Sequence, residues 1–128
     1  MLIVCEFVPI WYVNLFHGQD KIILPEKLPG SDPSWFGFLI TCKEGVKRND
    51  VVTFLESHGV QTRMLFAGNI IKHPCFDDMR RESKGYRVIS DLSVTDRIMN
   101  DTFWIGVYPG MTDEMIDYMV KMLRQALS

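Results

Sequence analysis

Apolar and polar positions alternate along this chain in a way that marks out a small set of elements. Residues 34–42 are almost continuously apolar, which predicts a strand covered on both faces, and Gly37 within it predicts a bulge or a close backbone approach. A polar turn follows, and Val51, Phe54, Leu55 and His58 then recur at helical spacing. They predict a helix over residues 48–58 with Asn49 as N-cap and Gly59 as its left-handed stop. Residues 60–69 begin as a strand and end in a glycine-containing loop, with the cation Arg63 inside an apolar run. An unpaired buried guanidinium is very costly, so Arg63 is read either as an edge-strand side chain reaching water or as a ligand contact.

Further on, Pro74 breaks the pattern, residues 76–82 suit one or two helical turns, and residues 86–89 look extended. Such an irregular stretch in a small domain is either mobile or part of a site. Ser93 with Asp96 resembles a capping box at the start of a helix over residues 93–100. Residues 103–108 alternate as a strand, with Phe103, Ile105 and Val107 on one face and Trp104, Gly106 and Tyr108 on the other. Pro109 and Gly110 turn the chain, Thr112 caps the last helix, and Met115, Ile116, Met119, Val120, Met122, Leu123 and Leu127 form its apolar stripe. The order strand, helix, strand, irregular segment, helix, strand, helix predicts an α+β domain. Its small antiparallel or mixed sheet would carry helices on one face. Short breaker-rich residues 17–33 form the connector before it, with a brief strand near residues 21–24.

Residues 1–16 are strongly apolar but carry Glu6 and Pro9. They lack a basic leader and a small-residue cleavage site, so they read as packed structure rather than a secretory signal or a membrane span. They are expected to form a strand and a short packed segment, or an apolar patch that pairs with another chain.

The 128 residues fit one domain, and 47% hydrophobic with 23% charged residues is a globular composition. A net charge of −2 and short, acid-flanked basic pairs give no footprint for nucleic acid. Three scattered cysteines, Cys5, Cys42 and Cys75, point to a reduced, cytoplasmic chain, and His73 with Cys75 lacks the second pair that a metal site needs. No nucleophile elbow, Walker loop, zinc-protease motif or dinucleotide fingerprint is present, and Asp77 and Asp78 are adjacent and so point apart. From residues alone the function stays undetermined.

Four strings change that picture: SWFGF over residues 34–38, QTRMLFAGN over 61–69, DLSVTDRIM over 91–99 and FWIGVYPG over 103–110. Together they resemble the DegT-type sugar-nucleotide aminotransferases and dehydrases, which depend on pyridoxal phosphate (PLP). The likeness is greatest to the branch of CDP-4-keto-6-deoxyglucose 3-dehydrases of lipopolysaccharide O-antigen synthesis. It covers residues 22–128 and departs from the family at Leu39 and over residues 1–20.

The resemblance implies the C-terminal small domain over residues 21–128, behind a divergent apolar segment over 1–20. It also implies that the cofactor, PLP or its amino form PMP, is held by a large domain outside this sequence, so no cofactor is expected on this chain alone. No catalytic residue is expected here. Arg63, Asn69 and Arg87 are implied as contacts to a nucleotide sugar, with Trp104 and Tyr108 lining the cleft. An arginine suits a diphosphate and an asparagine suits sugar hydroxyls.

The expected partners are a separate cofactor-binding domain or a second copy of the chain through the apolar N-terminus. Two function classes remain open: a truncated or split homologue of the enzyme, inactive alone, and a non-catalytic binding or assembly module that kept the fold.

Overall fold

The computed structural model describes residues 19–31 and 33–128. The expectations for residues 1–16, including Cys5, lie outside the described residues.

Among the described residues four strands form one antiparallel sheet: β1 (Ile22–Ile23), β2 (Gly37–Cys42), β3 (Thr62–Met64) and β4 (Thr102–Gly106), in the spatial order β1-β2-β4-β3. The helices are α1 (Arg48–Ser57), α2 (Asp77–Glu82), α3 (Ser93–Asp101) and α4 (Asp113–Ala126), with two 3-10 turns at Ile70–Lys72 and Pro74–Phe76. This is the expected α+β order, and its sheet is antiparallel rather than mixed.

Register explains the core. Phe38 sits opposite Ile105, which in turn sits opposite Thr62, and Ile40 sits opposite Phe103. These side chains point to one face, where Val51 and Leu55 of α1 and Ile116, Val120, Met122 and Leu123 of α4 close over them. Phe38, Ile40, Leu55, Phe103, Ile105 and Leu123 are essentially inaccessible to water, so most of the hydrophobic stabilisation lies between this face and the two long helices.

The other sheet face is not closed over in the same way. Leu39 and Thr41 of β2, Trp104 of β4 and Arg63 of β3 are half-buried or exposed on it, while Thr102, bonded to the Thr41 hydroxyl at 2.9 Å, is buried. The double cover expected for β2 is therefore corrected: a continuous apolar run shows that both faces are apolar, not that both are covered within this chain.

Local signals held where backbone geometry decides. Gly59 has φ 75° and ends α1. Thr112 accepts a hydrogen bond from the Met115 N–H at the start of α4, whose first turn carries Asp113 and Glu114. Two caps are corrected. Lys47, without a side-chain bond, occupies the N-cap of α1, and Asn49 lies inside the helix, accepting from Arg48. At α3 the N-cap is Leu92. The Asp91 carboxylate accepts from Ser93 N and Oγ at 3.1 and 2.9 Å, leaving Asp96 for another task. His58, expected on the inner face of α1, is exposed, with its ring stacked on Phe54 and bonded to the Phe54 carbonyl. Residues 86–89 are exposed and belong to no strand.

Candidate functional site

The site begins with an edge strand. Among the described residues β3 pairs only with β4, and Arg63 lies directly opposite Trp104. Because side chains alternate along a strand, Gln61 and Arg63 emerge on the same side, away from the core that Thr62 enters. Arg63 is exposed, as the edge-strand reading expected. Its Nη1 donates to the Thr62 carbonyl at 3.2 Å. With the Gln61 amide oxygen turned toward it, the guanidinium also donates to Gln61 from Nη1 and Nη2 at 3.1 and 2.8 Å. Glu56 lies near it. That carboxyl is held below the ordinary range first by the Thr62 hydroxyl, then by the Thr62 N–H, with a smaller contribution from Arg63.

Trp104 is fixed from the β2 side. A Cβ at Gly37 would lie 2.5 Å from Trp104 Cε3, so only glycine lets the indole pack there. Phe36 tilts against the same ring with centroids 5.2 Å apart. The bulge or close backbone approach expected at Gly37 is corrected: the glycine pairs regularly with Gly106 and makes room for the Trp104 ring.

Beyond Trp104 opens a cleft of about 600 Å³, walled by Arg63 and Gln61 from the β3 edge, by Trp104 and Tyr108 from β4 and its continuation, and by Met115 and Tyr118 from α4. Gly106 forms part of its floor, with open space where a side chain would project. Tyr118 donates to the His58 carbonyl at 2.9 Å, which ties α4 to the end of α1 at this rim.

Of the five site residues expected from the resemblance, Arg63, Trp104 and Tyr108 share this cleft. Asn69 and Arg87 do not line it. Asn69 is 2% exposed, and its Nδ2 donates to Asp96 Oδ1 at 2.8 Å while Lys72 Nζ binds Asp96 Oδ2 at 2.7 Å. Asp96 is held below the usual carboxylate range by the Lys72 hydrogen bond and then by Asn69. Arg87 stands exposed on the segment after Gly85.

Sequence reasoning missed Gln61, Met115 and Tyr118 as cleft walls. Met115 was assigned to the core stripe and is 43% exposed. The signal was present, since the apolar positions of α4 span more than one helical face and an edge of that stripe must meet solvent.

The chemistry of the walls is that of recognition. They offer a guanidinium, an amide, two phenols and the Glu114 carboxylate, but no amine or imidazole. Cys42 is buried, and its thiol is pushed up to about 11 by burial and then by Asp101, against Arg48. Among the described residues no group of three His, Cys, Asp or Glu could hold a metal ion, and no helix is long and apolar enough to cross a membrane.

The fold is that of the small domain of the sugar-nucleotide enzymes that use PLP. It superposes on E. coli GDP-4-keto-6-deoxy-D-mannose-3-dehydratase with bound hydrated PLP at a TM-score of 0.78 and 21% identity, over 94% of this chain and 30% of that one. It superposes on S. venezuelae DesV in complex with a ketimine intermediate at 0.80 and 14%, over 98% and 31%. The chain belongs to the DegT/DnrJ/EryC1/StrS aminotransferase family, whose model matches residues 10–124.

Two curated relatives are nearer in sequence. The chain is 54% identical over 99 residues to the lipopolysaccharide biosynthesis protein RfbH of Salmonella typhimurium, covering 76% of this chain and 22% of that protein. It is 46% identical over 110 residues to the dTDP-4-dehydro-2,6-dideoxy-D-glucose 3-dehydratase of Saccharopolyspora spinosa, covering 84% and 23%. The chain thus spans less than a quarter of the curated relatives it matches. The PLP named with such neighbours does not fit the cleft walls as a complete site, because among the described residues they provide no amine to bond it covalently.

Proposed function

We propose that this chain supplies the small-domain side of the active site of a PLP- or PMP-dependent sugar-nucleotide 3-dehydrase or aminotransferase in deoxysugar biosynthesis for lipopolysaccharide. The cofactor is held by a large domain, and the 128 residues are inactive by themselves. The observation that carries this is the pairing of Arg63 with Trp104 on the sheet face turned away from the core, where both wall a cleft together with Tyr108.

In this reading Arg63 pairs with the anionic part of a nucleotide sugar, and Trp104 and Tyr108 provide flat apolar walls beside it. Arg87 reaches the ligand only from the exposed segment after Gly85, and Asn69 acts by holding the loop rather than by touching sugar. The family membership and the two curated relatives support the enzyme class.

The test uses the S. spinosa 3-dehydratase with its matching segment exchanged for residues 22–128 of this chain. The hybrid is expected to show a PLP or PMP absorbance band and to turn over dTDP-4-dehydro-2,6-dideoxy-D-glucose, whereas the full 128-residue chain alone does neither. A cofactor-loaded hybrid without turnover would favour the binding or assembly module instead.

A further inference from the structure

Arg63 is exposed on the edge strand β3, yet its guanidinium is held in place. Its Nη1 donates to the Thr62 carbonyl, and Nη1 and Nη2 together donate to the Gln61 amide oxygen. Those two nitrogens are the end of the guanidinium, so Gln61 occupies one fork of the group. The other fork, Nε–H beside the second Nη2–H, has the spacing that receives two oxygens of one phosphate or carboxylate.

The support runs one step deeper. Thr62 is buried, and its N–H and hydroxyl both donate to the Glu56 carboxylate, at 2.8 and 2.7 Å. In an antiparallel strand the N–H and C=O of one residue point the same way, so the Thr62 carbonyl lies on the outer edge of β3 beside its N–H. Glu56 therefore fixes the residue whose carbonyl Arg63 uses.

Charge shows what the arrangement is for. Gln61 is neutral, Glu56 is committed to Thr62, and among the described residues no carboxylate forms an ion pair with Arg63. The cation is held without being cancelled, whereas a glutamate at residue 61 would hold it and neutralise it. Fixing a long side chain beforehand removes its rotamer loss from binding, an effect of about threefold to tenfold in affinity.

Resting on the function proposed above, we infer that Gln61 is the positioning residue for Arg63. It holds the guanidinium end-on before a ligand arrives and leaves the Nε–Nη2 fork for one phosphate of the nucleotide sugar's diphosphate.

The test is NMR of the full chain, with inorganic pyrophosphate as the probe. In Gln61→Met the order parameter of Arg63 Nε is expected to fall to that of Arg87, which is also exposed, and pyrophosphate to bind about threefold to tenfold more weakly. In Gln61→Glu the order is expected to be kept while pyrophosphate binding weakens at least as much, a split that a merely structural glutamine would not produce. An unchanged order parameter in Gln61→Met, or pyrophosphate binding as tight in both variants as in the wild type, would overturn the inference. In the S. spinosa hybrid, Gln61→Met is expected to raise KM more than it lowers kcat, and to add nothing in an Arg63→Ala background. Additive effects would also overturn it. An Arg63→Ala hybrid with unchanged kinetics refutes the proposed function instead, and the two full-chain readings still decide whether Gln61 positions the cation.

Discussion

Asn69 and Asp96 are joined by a 2.8 Å hydrogen bond that runs from the loop after β3 to the first turns of α3. The asparagine is buried, so this bond replaces its contacts with water. It commits the side-chain amide of a residue implied as a ligand contact to Asp96. Its main-chain N–H packs toward Met99 Sδ at 3.2 Å, so both ends of the residue hold the loop to α3. Asn69→Ala leaves the Asp96 oxygen short of a donor and is expected to cost about 1–3 kcal/mol. Urea unfolding checks it, with Asn69→Asp costing at least as much because two carboxylates would then face each other.

Asp96, bonded by Lys72 and then by Asn69, sets an acid limit. The folded-state pKa of Asp96 lies below its ordinary value, so its contribution to stability is present above the ordinary aspartate range, about pH 4, and is lost as pH falls through the lower folded value. Asp96→Asn removes the titrating group. Its stability is expected to vary less with pH across that acid window than the wild type's, and a pH series of denaturation midpoints measures the difference.

Gly37 and Trp104 form a second dependent pair. Alanine at residue 37 would drive a methyl into the indole, and Gly37→Ala is expected to destabilise the chain by about 1–3 kcal/mol. In a Trp104→Leu background the same change is expected to cost much less, because the smaller side chain vacates that space. The coupling from a double-mutant cycle is the readout. Additive effects would show that the ring does not require the glycine.

Much of this architecture could be read from periodicity. The β4 alternation of Phe103, Ile105 and Val107 against Trp104, Gly106 and Tyr108, the Thr112 cap and the Gly59 stop all follow from local backbone rules. What failed were features set by distant partners. Asp96 has the spacing of a capping residue, but Asn69 and Lys72 claim it. His58 has helical phase with Val51 and Leu55, but it is the C-cap of α1 and its ring turns back onto Phe54. The cleft was only half legible. Arg63 stood out as a cation in an apolar run, while Gln61 and Tyr118 belong to the site because α1, α4 and the β3 edge converge, which no local pattern encodes.

The most direct measurement is kcat/KM of the S. spinosa hybrid carrying Arg63→Ala, set beside the Tm of the same variant in the full chain. Arg63 is exposed on an edge strand, so Tm is expected to stay within about 2 °C, since surface changes of this kind cost little. Loss of a charge-assisted contact to the nucleotide sugar is expected to lower kcat/KM by about tenfold to a hundredfold. Unchanged kcat/KM would contradict the assignment of the sheet face turned away from the core to the ligand side.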